Sequence, residues 1–422
     1  MHSTPLKRRL RAAGVLLLVT MVFRASQNMA QTTLSIVGRE RLGLSPGVIG
    51  ALVAVAAVCG VAVTAWVAPL VEERHRPGAL LASLTLVAAA LVIFAFATSW
   101  PELGGAALLL ALGGGLGMPT LMTAAGTGSE EEREKDLAML TVALSLSLAA
   151  GPLLEAGVLR ATGQSLTDAF LAFLALPVAG ISLLALKPAS FAPAGHRHED
   201  LGRSPEIQEP PLATVIPNDP NPIHLRDGGP GGYRQLAKNP YWRLALTANL
   251  LYQVPFVAIV TFGGAMGHTL FHASDAEAVL AFSAFFVTSF GARSWVVWRS
   301  PLRRKLATLW LAAGLTVLGI VVMAIGHGVL ILVVAMAVLG VPHGLIFPIA
   351  LGMIARSAPR AQLARANAGM LALSSGFTIA VPAALGGLAE LYGYRGMMML
   401  VLVPVLAFGV LLAAWSRGVE AW

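Results

Sequence analysis

The most informative polar residues of this sequence form one stripe inside an apolar run near the N-terminus. Thr20, Arg24, Gln27 and Gln31 follow one another at spacings of four, three and four residues, which places them on one face of an α-helix. Arg24 lies 13 residues after Arg11, so it is about 20 Å further along a helix that rises 1.5 Å per residue. A guanidinium at this depth binds either a carboxylate of another helix or an anion in a water-filled cavity.

A second polar face repeats the first one after 229 residues. Asn249, Tyr252 and Gln253 share a helical face, and at this shift Thr20 corresponds to Asn249 and Arg24 to Gln253. Two matching polar faces near the middle of a membrane are suited to binding a solute between them. Hydrogen bonding between neighbouring helices is the alternative interpretation.

One carboxylate lies well inside an apolar run. Glu155 shares a helical face with Ser147 and Gly151, and a carboxyl group beside a cavity can bind and release a proton as the cavity opens and closes. Alternatively, Glu155 simply reaches water, because Arg160 lies only five residues later, about 7.5 Å along a helix. The first interpretation assigns Glu155 to proton coupling, and the sequence leaves both open.

Two further ionisable residues lie inside apolar runs of the second half. Arg293 precedes Arg299 by six residues, about 9 Å along a helix, so it either extends to the basic residues at the membrane surface or binds a substrate carboxylate. His343 stands between Pro342 and Gly344, which loosen the helix, and it is a candidate hinge for gating. The alternative for His343 is a neutral imidazole bonded to a freed carbonyl.

The composition indicates that lipid is the solvent of this chain. Hydrophobic residues make up 56% of the 422 residues and charged residues 12%, with a mean hydropathy of +0.75, whereas soluble domains carry about 25% charged residues. The net charge of +8 comes from basic residues in short loops without interleaved aromatic residues, which argues against nucleic-acid binding. Cys59 is the single cysteine and excludes an intrachain disulfide. We expect no cofactor and no metal site.

Twelve runs are long and apolar enough to cross the hydrocarbon core as helices, which takes about 20 residues. They cover residues 12–37, 47–71, 77–98, 102–125, 137–159, 166–186, 241–267, 276–298, 305–326, 329–354, 363–388 and 396–416. Of the 29 Lys and Arg residues, 23 fall in segments on the N-terminal side of the membrane or within three residues of the adjoining edge of a run, 4 fall on the other side, and 2, Arg24 and Arg293, lie deeper within spans. This asymmetry predicts that both termini are cytoplasmic.

A polar stretch divides the spans into two equal sets. Residues 188–240 contain ten of the 25 prolines and no helical or strand periodicity, so we predict a disordered cytoplasmic linker there. It separates predicted six-helix bundles at residues 1–187 and 241–422. The linker shows no feature of a catalytic soluble domain and no nucleotide-binding motif.

The two halves also resemble each other at matching positions. Ser45 before the second span corresponds to Ser274 before the eighth at a shift of 229, and Pro152 in the fifth corresponds to Pro382 in the eleventh at a shift of 230. A parallel repeat of six spans is typical of one transporter architecture. We therefore predict an all-α membrane protein with 12 transmembrane helices in two pseudo-symmetric six-helix bundles.

Several local motifs resemble those of the major facilitator superfamily. The run 42–50 (LGLSPGVIG) resembles the family's entry into its second helix. The run 367–369 (NAG), Pro382 and the run 393–395 (GYR) resemble its eleventh helix and the turn that follows. The resemblance covers nearly all of the chain except the linker, and it implies transport by alternating access between two bundles.

Two motifs of the same family imply gating residues. The family's loop motif between helices two and three is present here as an Ala-Pro-Leu-Val-Glu run that keeps an acid at Glu72 but lacks both glycines. The Ser-Leu-Ala-Ala-Gly-Pro run that ends at Gly151 and Pro152 resembles the fifth-helix motif of the family's exporters. Drug–proton exporters of the family carry an arginine in the fourth helix, and this chain has Leu110 there.

Together these features predict a secondary transporter of a small organic solute. Two intramembrane arginines against one glutamate give a positive cavity, so we expect an anionic or amphiphilic substrate, with protons as the coupled ion. The residues assigned to substrate binding are Arg24, Gln27, Gln31, Asn249, Tyr252, Gln253 and Arg293.

The fifth-helix motif favours export in exchange for protons, and proton-coupled uptake of an organic anion is the alternative. A membrane-embedded transferase is the alternative from another class, which the sequence gives no motif to support. We expect a multi-pass protein of the plasma membrane that acts as a monomer.

Overall fold

The computed structural model describes residues 5–125, 130–186, 232–299, 304–358 and 360–417, and within these ranges nearly every residue is helical and none lies in a strand. At residues 5–13, 130–138, 232 and 360–364 the description covers the backbone alone. The long helices of the described ranges are α1 (Pro5–Ile36), α2 (Pro46–Ala62), α3 (Arg76–Phe96), α4 (Trp100–Ala125), α5 (Glu130–Ala161), α6 (Leu166–Leu186), α7 (Pro240–Phe271), α8 (Asp275–Trp298), α9 (Lys305–Ile325), α10 (Val329–Ser357) and, within Arg360–Ser416, α11 and α12.

Gly393 divides the last of these stretches into α11 (360–392) and α12 (394–416). Its φ of 68° and ψ of 171° are not helical, and a positive φ of this size favours glycine because it has no Cβ. Gly163 lies 230 residues earlier, between α5 and α6, and has a φ of 65°. A glycine with a positive φ therefore separates the last two helices of each half.

Helical turns of other kinds extend or connect the long helices. A π-helical turn at Val37–Arg41 continues α1, and three short turns at Val63–Val67, Ala68–Leu70 and Glu73–His75 join α2 to α3. Of the predicted linker, residues 188–231 lie outside the described residues. Its described end contains one short helix, Gly232–Leu236.

The helices have the lengths that a membrane requires. Ten helical stretches of the described ranges are long and apolar enough to be spans, and the last of them, Arg365–Ser416, contains most of α11 together with α12. With α1, which carries the polar stripe, they make twelve helices, one for each predicted span. The chain is thus an all-α membrane protein of 12 transmembrane helices.

Both halves begin their second helix with the same local structure. The hydroxyl of Ser45 accepts a hydrogen bond from the backbone N–H of Val48, and the hydroxyl of Ser274 accepts one from Glu277. Each serine thereby satisfies an N–H that the first turn of a helix leaves free. The two serines are the ones that the 229-residue shift pairs between the halves of the sequence.

The twelve helices form two bundles of six. Helices α1–α6 pack against one another, as do α7–α12, and the main contacts between the bundles are made by α1 with α7, α2 with α11 and α5 with α8. We call the end of the molecule that carries Leu186 and Pro240 the linker end. The opposite end, which carries Ile36 and Phe271, is called the far end.

The two bundles approach most closely where α2 crosses α11 near the far end. A Cβ on Gly386 would lie 2.6 Å from the carbonyl oxygen of Pro46, and a Cβ on Gly50 would collide with the carbonyl oxygen of Pro382. No side chain fits between backbones at this separation, so glycine is required. The crossing holds the far ends of the two bundles together.

Substitution of Gly386 should therefore weaken the contact between the bundles. We expect Gly386→Ala to cost about 1–3 kcal/mol through overpacking, seen as a lower midpoint of thermal unfolding in detergent. The matched control is Gly387→Ala, because a Cβ at Gly387 meets nothing within 4 Å. Equal unfolding midpoints for the two variants would contradict the proposed close contact.

Candidate functional site

A cavity of about 620 Å³ lies between the two bundles. This volume is within the range of sites that bind small molecules, about 300–1,000 Å³. All seven residues predicted to bind substrate line it. The polar residues of its wall are Arg24, Gln27, Asn28, Gln31, Thr64, Asn249, Tyr252, Gln253, Thr261, Arg293, His343 and Thr378.

The cavity is closed towards the far end and opens towards the linker end. Besides the crossing of α2 and α11, Ser45 donates a hydrogen bond of 3.1 Å to Glu390, and the backbone N–H of Ala276 donates one of 2.9 Å to the Gln164 side chain. Towards the linker end the cavity wall includes the exposed Thr64, in the turn Val63–Val67 that follows α2, and Phe347 of α10, which is 42% exposed. A solute therefore reaches the polar stripe from one side only in this conformation.

Arg24 projects into this cavity from α1. Its Nη1 donates a long hydrogen bond of 3.4 Å to Gln27 Oε1, and Gln27 Nε2 donates one of 3.4 Å to the carbonyl oxygen of Leu110 in α4. Within the described part of the chain, no carboxylate lies within 4.0 Å of the guanidinium. Of the two arrangements that the sequence allowed, the structure shows the guanidinium in the cavity.

The polar face of α7 bonds to α11 and lines the cavity as well. Asn249 Nδ2 donates a 2.7 Å hydrogen bond to Ser374 Oγ, and Gln253 Nε2 donates a 3.2 Å bond to Thr378 Oγ1. Hydrogen bonding between helices, the alternative that the sequence left open, therefore holds for both amides. The sequence analysis missed Ser374 and Thr378, although their spacing of four residues signals a polar face on α11.

Arg293 reaches across to the other bundle instead of extending to the membrane surface. Its Nη1 donates a 3.2 Å hydrogen bond to Ser145 Oγ of α5, and its Nε is buried without a hydrogen-bond partner in the described structure. Since Arg293 also lines the cavity, the cavity contains one arginine from each bundle.

His343 belongs to a cluster of aromatic rings in the cavity wall. Its imidazole stacks on the Phe256 ring with centroids 4.5 Å apart and planes 9° apart, and the rings of Tyr252 and Phe285 lie 5.4 Å away. The Tyr252 hydroxyl donates a 3.0 Å hydrogen bond to the carbonyl oxygen of Leu339. The sequence analysis missed the aromatic neighbours of His343, because three separate stretches of the chain, α7, α8 and α10, contribute to the cluster.

Glu155 is fully buried and does not line the cavity. Its relative exposure is 0%, so the alternative that it simply reaches water is wrong. The Thr33 hydroxyl of α1 donates a hydrogen bond to Oε1, and Oε2 has no hydrogen-bond partner among the described residues. An uncompensated carboxylate charge in such a place is costly, so this position suits a carboxyl group that carries a proton.

The predicted gating residues of the first bundle lie outside the cavity wall. Glu72 is in the connection between α2 and α3, and its side chain, 60% exposed, forms a 2.7 Å ion pair with Arg74. Gly151 lies beside Ala25 of α1, and Pro152 is buried in α5. A gating role for these three residues and for His343 stays a prediction.

Comparison with known proteins gives a family match and several similar folds. The profile of the Major Facilitator Superfamily matches residues 16–326. A bacterial homologue of the human lysosomal transporter Spinster, in an inward-facing and unoccupied conformation, has a TM-score of 0.68 at 12% identity over 99% of this chain and 98% of its own. A POT family transporter in complex with 5-aminolevulinic acid has a TM-score of 0.70 at 13% identity over 96% of both chains.

The nucleoside transporter NupG has a TM-score of 0.67 at 14% identity over 96% of this chain and 98% of its own. At these identities the likeness to the solved structures shows the fold. A comparison with the curated proteins found no match.

The hydrogen bond between Thr33 and Glu155 should contribute to stability. We expect Thr33→Val to cost about 1–3 kcal/mol, because it leaves a second buried carboxyl oxygen without a partner. Thr33→Ser keeps the hydroxyl and should remain much closer to the parent protein. Thermal unfolding in detergent tests this, and a Thr33→Val variant as stable as the parent would show that the bond contributes nothing.

Proposed function

The chain belongs to the major facilitator superfamily, and from this premise we propose that it moves a small organic anion across the plasma membrane by alternating access. Multiple membrane spans and family membership support a secondary transporter over a membrane-embedded transferase. The proposal includes cytoplasmic termini, so the cavity opens to the cytoplasm in this conformation. It also includes a monomer as the working unit.

The proposal that the substrate is an anion is supported by the pair of arginines in the cavity. Arg24 comes from the first bundle and Arg293 from the second, and neither has a carboxylate within 4.0 Å in the described ranges. A charge inside the membrane is costly unless it is paired or hydrated. A substrate anion between the bundles would offset both charges, and an anion bound by both arginines would favour closure of the cavity around it.

Glu155 is proposed as the group that carries the coupled proton. Its buried carboxyl group lies in α5, beside α1, and α5 is also one of the helices that contact the second bundle. A change in the packing of α1, α5 and α8 during transport would alter its access to water. The exporter-like run that ends at Pro152 lies on the same helix, and it favours proton exchange with export.

Proton-coupled uptake of an organic anion is the second candidate. It is favoured by Leu110, which lines the cavity at the position where the family's drug–proton exporters carry an arginine. The two candidate functions use the same cavity, and they differ in whether the proton moves in the opposite direction to the substrate or in the same direction. Exchange predicts that the anion accumulates in vesicles with an acidic lumen, whereas cotransport predicts accumulation when the bath is acidic.

Loss of the Arg24 charge should strongly weaken transport without unfolding the protein. We expect Arg24→Gln to lower kcat/KM for organic anions by about 10- to 100-fold, the equivalent of a charge-assisted hydrogen bond of about 1.5–3 kcal/mol. Arg160→Gln is the matched control, because Arg160 is exposed at the end of α5. Uptake into liposomes measures both variants, and full activity of Arg24→Gln would remove Arg24 from the proposed site.

Neutralising Glu155 should separate substrate movement from proton movement. We expect Glu155→Gln to keep one-for-one exchange of labelled for unlabelled substrate, because the amide preserves the shape of the side chain. The same variant should lose accumulation driven by a pH gradient and the matching signal of a pH-sensitive dye. Gradient-driven accumulation at the parental level would show that the proton is carried elsewhere.

A further inference from the structure

The cavity has two walls of different chemistry. On the second bundle, five ring-bearing residues line it: Tyr252, Phe256, Phe286, His343 and Phe347. Behind them Phe285 is fully buried, with its ring 5.4 Å from His343 and 5.0 Å from Phe286. The rings therefore form a packed aromatic wall and not a set of isolated side chains.

On the first bundle, most of the residues that line the cavity from α2 and α4 are small. They are Ala56, Ala57, Gly60, Ala107, Ala111, Gly114 and Gly115, and the larger ones are Val53, Val61, Leu110 and Met118. A Cβ on Gly60 would lie 3.1 Å from the carbonyl oxygen of Ala111, and one on Gly114 would meet the Gln27 side chain. Short side chains therefore predominate in this wall.

The positive charges of the cavity share it with the aromatic wall. Arg24 and Arg293 line the same cavity as Phe256, Phe286 and His343, and Arg293 follows Phe286 by seven residues, which is two turns along the same face of α8. An anionic group bound by these guanidiniums would place the rest of its molecule against the rings. A slot between an aromatic wall and a wall of mostly short side chains accepts a flat ring more readily than a branched group, since aromatic rings pack by offset stacking or edge to face.

From this juxtaposition we infer that the substrate is a planar aromatic anion: its oxyanion lies between Arg24 and Arg293, and its ring lies in the slot between Phe256 and the small residues of α2 and α4. The inference rests on the proposed function, because it specifies the class of organic anion that the same cavity takes. It assigns Phe256 a specificity role that is separate from the charge recognition by the arginines.

The test uses two carboxylic acids that share a carbon skeleton and differ in aromaticity. Binding of 2-naphthoate and of decahydro-2-naphthoate to the purified full-length protein is measured by calorimetry. We expect naphthoate to bind about three- to tenfold more tightly, the range that follows from about 0.5–1.5 kcal/mol for an aromatic pair. Phe256→Leu should abolish this preference, and binding of the saturated acid by the variant shows that it is folded.

Phe96→Leu is the matched control, because Phe96 is 60% exposed at the far end of α3 and does not line the cavity. It should retain the preference for naphthoate. Equal affinities for the two acids, retention of the preference in Phe256→Leu, or failure of both acids to bind would overturn the inference.

The proposed function fails by a different result. If both acids bind equally and Arg24→Gln weakens the binding of both, the result supports the anion site and contradicts the specificity for aromatic substrates. If the acids bind and Arg24→Gln weakens neither, the anion site itself is wrong, whatever the preference between the two acids.

Discussion

An arginine held inside the membrane without a described carboxylate partner is the constraint on which this structure depends. The cost of leaving a guanidinium in a low-dielectric interior requires either an opposite charge or water. Here Arg24 lies in the cavity wall and donates a long hydrogen bond to Gln27, which in turn donates one to the backbone of α4. This charge therefore requires water in the empty cavity, and it is the basis of the proposal that an anion occupies it.

The packing of the bundles explains why this wet space is accessible from one end. At the far end the glycines of α2 and α11 let two backbones meet, and hydrogen bonds from Ser45 and Ala276 join the bundles beside them. Towards the linker end, Arg293 donates to Ser145 between the same two bundles. Contacts built from small residues and a few polar bonds can be remade at low cost, which a rocking motion requires.

The second bundle combines two tasks in one set of residues. Asn249 and Gln253 tie α7 to α11 through Ser374 and Thr378, and they present polar atoms to the cavity at the same time. The aromatic cluster around His343 fixes the wall next to them. The residues that line this wall are thus also the ones that stabilise its shape, since they are hydrogen-bonded and close-packed.

The sequence by itself determined the twelve spans, the repeat and the direction of the polar faces, because hydropathy and helical spacing are local properties of the chain. It also located both cavity arginines and the α7 residues, since a polar side chain in an apolar run has few places to point. Only the tertiary structure decided that Glu155 is buried against Thr33, that Arg293 turns to Ser145 and that rings from two other helices surround His343. Those outcomes depend on which helices become neighbours and how each is rotated, and residues far apart in the chain set both.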